Sequence, residues 1–99
     1  MSKVTIYLST QIILRDFTFF EDRTEMVRTQ LPHYTRAGSF FTELTGEEAA
    51  KEAFDLTNNP FLQEERELKC GRGRGVSTGD VIEVDGVKYL CMSVGWEKL

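Results

Sequence analysis

Histidine and cysteine are almost missing from this chain. His33 is the only histidine, and Cys70 and Cys91 are the only cysteines. One histidine and two distant cysteines lack the close pairs of a zinc site, so no metal centre is expected. Two cysteines also make no disulfide framework, and without a secretion signal free thiols are the expected state. The first residues, Met1-Ser2-Lys3-Val4-Thr5, lack the charged, apolar and small-residue layout of a signal peptide. No window approaches the roughly 18 unbroken apolar residues of a membrane span. These absences make a cytoplasmic protein with no membrane association the expectation. Charge bias is weak: the net charge of -4 argues against general affinity for duplex DNA and tolerates a basic partner surface.

Catalytic groupings are equally scarce. Ser77 has no histidine partner except His33, and no third group orients it. Asp80, in Ser77-Thr78-Gly79-Asp80, reads as a turn residue entering a strand, not as an acid catalyst. Gly71-Arg72-Gly73-Arg74-Gly75 suggests a phosphate loop. However, it lacks the Gly-Lys-Ser/Thr ending and leads into a strand, so both the P-loop and the dinucleotide fingerprint fail. The simplest reading is a flexible connection with arginines solvated or paired to Glu64, Glu65 or Glu67. The alternative is a grip on a partner carboxylate or a phosphate. The chain is therefore read as a non-enzyme that needs no cofactor. Cys91 reads as a small buried hydrophobe. Cys70 reads as structural, the alternative being a thiol whose pKa a neighbouring cation lowers.

What is present defines an architecture. Ninety-nine residues, 40% apolar, support one domain over residues 1–99 with one modest core. Val4, Ile6 and Leu8 alternate with Thr5 and Tyr7, which predicts a strand over Lys3–Leu8. A short strand is expected around residues 17–20, and Glu21 to Leu31 fits either a helix or a strand, ended by Pro32. Tyr34 to Leu44 reads as a strand, with Gly38 marking a bulge and Phe40 and Phe41 facing opposite sides. Thr45-Gly46-Glu47-Glu48 has capping-box spacing. It opens a helix to about Thr57 whose stripe is Ala49, Ala50, Ala53, Phe54 and Leu56, with Phe54 and Leu56 as anchors. Asn58-Asn59-Pro60 stops that helix, with asparagine free to take the left-handed conformation. Residues 60–70 fit either a short helix or a solvated linker.

The strongest local signal is Val81–Val84, Asp85-Gly86, Val87–Cys91, a two-residue hairpin. It sets Val84 opposite Val87, Glu83 opposite Lys88, Ile82 opposite Tyr89 and Val81 opposite Leu90. Ile82, Val84, Val87, Tyr89 and Cys91 then share the face best suited to the core. The fold expected is α+β: a small antiparallel sheet of three to five strands, with this C-terminal hairpin, packed on one main helix. Trp96, just past the hairpin, is either a lid closing over the helix or sheet end, or an exposed binding anchor. The lid is favoured because a small core gains most from so large a ring.

Gly73-Arg74-Gly75-Val76-Ser77-Thr78-Gly79-Asp80-Val81-Ile82, followed by Asp85-Gly86, Tyr89, Cys91 and Gly95-Trp96, resembles a C-terminal signature. It belongs to small proteins of bacteriophages and actinobacterial mobile elements, with an "R-S-x-S-V-G-D-V" turn, a "D-G" hairpin and a closing "G-W". The YodL-like domain shares it more loosely. Glu52-Ala53-Phe54-Asp55-Leu56-Thr57-Asn58 is similar to their helix ending "A-F-x-x-T-N". This chain has Gly75 where that family usually has Ser. The resemblance implies a fold and a phage setting, without a mechanism. The function expected is that of a phage accessory protein that binds a host protein, as a defence inhibitor or host-takeover factor, with Arg72, Arg74 and Trp96 as candidate partner-binding residues. The alternatives are a nucleic-acid-binding protein using Arg66, Lys69, Arg72 and Arg74, and a homo-oligomer paired through a strand edge.

Overall fold

A computed structural model describes residues 1–9, 27–28, 31–71, 74–92 and 94–99. Five strands form one fully antiparallel sheet: β1 (Ser2–Leu8), β2 (Thr35–Thr42), β3 (Val81–Val84), β4 (Val87–Cys91) and β5 (Trp96–Lys98), in the order β2-β1-β3-β4-β5. Packed with it among the described residues are α1 (Gly46–Asn58) and α2 (Gln63–Cys70). The fold is α+β, with one main helix and a short second one. The strand expected around residues 17–20 lies outside the described residues, as does most of the 21–31 segment. Pro32 sits inside a 3-10 turn, Leu31–His33, that leads into β2.

The hairpin pairs in the expected register, Val84 with Val87 through Val81 with Leu90. Its turn residues Asp85 and Gly86 both take positive φ, 50° and 86°, the backbone sign that matches strand twist in a two-residue loop. In β2 the register against β1 slips by one residue, from Ile6 opposite Gly38 to Tyr7 opposite Arg36, so a bulge falls where Gly38 marked it. Gly38 has a second role. A Cβ there would lie 2.6 Å from the Cys70 carbonyl oxygen and 2.8 Å from its Cβ, so the end of α2 rests directly on the bulge.

α1 buries Ala49, Ala50, Ala53 and Leu56 against Val4, Ile6, Ile82 and Val84. Three alanines let its axis approach the sheet closely. Two expectations about this helix are corrected. The Thr45 hydroxyl makes no capping bond, although Thr45 holds the extended N-cap position and Gly46 enters the helix at φ 56°. Asn59 is extended (φ -83°, ψ 115°), not left-handed. Instead its side chain accepts from Phe61 N at 3.0 Å and starts a 3-10 turn, Pro60–Leu62. Phe54 is also no core anchor: it stands at the margin of the alanine stripe, 39% exposed.

The sheet is covered on both faces. Val27, Tyr34, Val81 and Leu90 form a second apolar cluster on the face away from α1, so the hairpin face carrying Val81 and Leu90 is buried as well. Phe40 is buried and Phe41 exposed, as their alternation required. Among the described residues no helix is long and apolar enough to cross a membrane.

The contact at Gly38 leads to the first prediction. Gly38→Ala forces backbone against backbone and is expected to lower unfolding free energy by about 1–3 kcal/mol in urea titrations. Replacing exposed Phe41 with Ala should change it by no more than about 0.5 kcal/mol. Equal midpoints for Gly38→Ala and wild type would show that α2 does not press on the bulge.

Candidate functional site

The Gly/Arg segment is braced rather than solvated. Asp80, at the entrance to β3, is completely buried, and both its carboxylate oxygens are engaged. Oδ1 accepts from Ser9 N at 2.8 Å, Ser9 Oγ at 3.0 Å and Arg74 Nη2 at 2.8 Å. Oδ2 accepts from Arg74 Nη1 at 2.6 Å and Ser77 N at 2.8 Å. This is a two-pronged charge-assisted pair, and it holds the Arg74 guanidinium above its usual pKa. Arg74 Nη2 also donates to the Ser9 carbonyl at 3.0 Å, and Nη1 to the Gly75 carbonyl at 3.0 Å. One arginine thus ties the end of β1 to the turn before β3. The Tyr34 hydroxyl closes the same turn from the second cluster, donating to the Gly79 carbonyl at 2.6 Å.

The segment is also stitched to the end of α1. Thr57 Oγ1 accepts from Val76 N at 3.0 Å, and Asn58 Nδ2 donates to the Val76 carbonyl at 2.9 Å. A Cβ at Gly75 would meet the Thr57 carbonyl oxygen at 2.9 Å and overlap the Asn58 side chain, so only glycine fits there. From α2, Arg66 donates to the carbonyls of Thr57 at 3.2 Å and Arg74 at 3.0 Å.

These contacts relocate the expected site residues. Arg74 pairs with Asp80, not with Glu64, Glu65 or Glu67. Arg72 lies outside the described residues. Lys69 bonds Glu65 at 2.9 Å, which raises its pKa, and stands 5.7 Å from the Phe40 ring centre. Trp96 opens β5 instead of trailing past the sheet. It is half-buried against the main core and meets Phe54 edge-on, ring centres 6.4 Å apart at 87°. Cys70 is no activated thiol: burial raises its pKa and outweighs Arg66 and Lys69. Among the described residues no group of three or more His, Cys, Asp or Glu could hold a metal ion.

A surface that the polar character of residues 60–70 concealed stands on the other side of α2. Phe61 is 95% and Leu68 84% exposed, with Glu64 and Glu65 between them. Phe61 belongs to the Pro60–Leu62 turn and Leu68 to α2, while Leu62 and Cys70 turn inward. No known family, curated protein or solved structure matches this chain.

Removing Arg74 leaves a buried carboxylate without its countercharge. Arg74→Ala is expected to cost about 2–4 kcal/mol and several degrees of melting temperature. This reverses the expectation for a solvated arginine. An unchanged melting temperature would show the pair to be dispensable.

A second prediction concerns alkaline pH. Burial pushes the Cys91 thiol up to about 11 and the Tyr34 hydroxyl well above its ordinary value, with Asp80 adding to both and Arg74 opposing for Tyr34. Folding therefore favours the protonated forms. Their contribution is fully present below the unfolded values of roughly 8.5 and 10 and is lost as pH rises through the folded ones. The urea midpoint should fall from about pH 8.5 upward, and Cys91→Ala should remove the earliest part of that fall. A midpoint flat between pH 8 and 10.5 would contradict both assignments.

Proposed function

We propose that this protein is a non-catalytic binding protein whose partner is another protein. In the phage setting that its C-terminal signature suggests, that partner is a host protein whose activity it inhibits or redirects. One observation carries this reading. Arg66 and Arg74 are engaged by backbone carbonyls and the buried Asp80 carboxylate, and Lys69 pairs with Glu65 at the surface, while Phe61 and Leu68 stand in solvent. Phosphate binding needs cations free to displace counterions, and protein recognition needs apolar anchors that lose water on docking. The engaged oxygens of Asp80 and the exposed position of His33 support a role without catalysis.

Affinity capture from a bacterial lysate, with and without nuclease, tests the reading. One stoichiometric protein should remain bound after nuclease treatment. Loss of all partners with the nucleic acid would transfer the function to nucleic-acid binding.

A further inference from the structure

We propose that the Asp85–Gly86 link is a self-modification site, converted to isoaspartate through a cyclic succinimide, and that the start of β1 guards it in the folded chain. In this step the Gly86 nitrogen attacks Asp85 Cγ. The new C–N bond closes a five-membered ring, and the carboxyl hydroxyl leaves with the amide proton as water. Water then opens the ring at either carbonyl. One opening restores aspartate, and the other leaves isoaspartate, whose main chain runs through the side-chain carbon. The mass is unchanged, and only water takes part.

Sequence and exposure select this link. Asp85 precedes a glycine, whereas Asp16, Asp22, Asp55 and Asp80 each precede a residue with a side chain. A Cβ on the following residue crowds the attacking nitrogen, and glycine has none. Asp85 and Gly86 are both exposed, and a Cβ built on Gly86 would meet nothing within 4 Å. The ring therefore has room to form on the outside of the turn.

The fold holds the carboxylate elsewhere. Val4 stands opposite Val84 in the antiparallel β1–β3 ladder, which brings Lys3 opposite Asp85, one step past the end of β3. The Asp85 amide donates to the Lys3 carbonyl at 3.1 Å, as such a pair requires. The return bond from the Lys3 amide goes to Asp85 Oδ1, at 2.9 Å, instead of to a main-chain carbonyl. The side chain thus completes the ladder where the chain turns away. This bond first, and the Ser2 hydroxyl second, hold the carboxyl below the usual carboxylate range. An ionised carboxylate is a poor electrophile, because its leaving group would be an oxide ion. One oxygen is fixed on Lys3 and the carbon is deactivated, so ring closure waits for the first residues of β1 to lift off β3. Isoaspartate then adds a backbone carbon to a two-residue loop that closes through positive φ at both residues, and the clasp cannot re-form in register.

The full chain is incubated in neutral buffer with and without urea, and peptide mapping with fragmentation spectra separates isoaspartate from aspartate. The unfolded chain should convert at residue 85 ahead of every other aspartate, and the folded chain at least about tenfold more slowly. Lys3→Pro deletes the amide donor near the start of the strand and should raise the folded rate at least about threefold. Lys3→Ala keeps the amide and should match the wild type. Ser2→Ala, a milder change, should fall between the two. Circular dichroism verifies that each variant is folded. Absence of isoaspartate at residue 85 in urea would overturn the site. A folded rate equal to the unfolded one, or Lys3→Pro and Ser2→Ala both indistinguishable from Lys3→Ala, would overturn the guard.

Discussion

A carboxylate with no solvent access must be neutralised and hydrogen-bonded where it stands, and Asp80 imposes that requirement on everything around it. Its five acceptor contacts come from two stretches far apart in sequence: the end of β1 at Ser9, and the segment leading to Asp80 at Arg74 and Ser77. A pair of this kind adds little net stability over a well-packed apolar substitute, yet losing one partner is expensive. Its effect is to exclude arrangements in which those stretches lie elsewhere. Lysine would not serve at position 74. The guanidinium reaches Asp80 with both prongs while also bonding the Ser9 and Gly75 carbonyls, and a single ammonium has neither that span nor that fixed fork.

Burial on both sides of the sheet limits where a partner can touch this protein. One face is taken by α1 and α2, and the other carries the cluster of Val27, Tyr34, Val81 and Leu90. The described strand order ends at β2 and β5, and each end carries a device that opposes strand addition. β2 is bulged beside Arg36, and β5 is three residues long and displays Glu97 and Lys98. Short, charged or bulged edges resist pairing with another chain. Pairing of copies through an edge therefore has little to work with, although Phe41 of β2 is exposed, as are Phe61, Leu68 and Val94 away from the strands.

Legibility in the sequence followed the range of the interaction. The hairpin register was readable because a two-residue Asp-Gly loop leaves one pairing, and Gly38 signalled its bulge because glycine in a strand has few other uses. Phe54 misled because a helical stripe is wider in sequence than the strip that meets the sheet. The Asp80 site was hidden in a different way. Arg74 has acidic residues on both sides in sequence, Glu67 before it and Asp80 after it, and only the folded chain reveals that it pairs with Asp80. Composition cannot report that an aspartate following a glycine has become fully buried. In α2, charge made the segment look solvated, although Arg66 uses its charge to fasten the helix down.

The end of α1 and the turn before β3 lie apart in sequence and meet in the fold. Thr57 and Asn58, at the end of the helix motif, bond the amide and the carbonyl of Val76 in the turn motif. Gly75 admits that approach, Val76 fills the core at 1% exposure, Gly79 receives Tyr34, and Asp80 receives Arg74. Each of these residues has a structural task at one seam between helix, turn and strand. Phe61, Glu64 and Leu68 fall between the two motifs and take no part in the seam. Those three can therefore change without opening the seam, whereas Thr57, Asn58, Arg74 and Asp80 cannot.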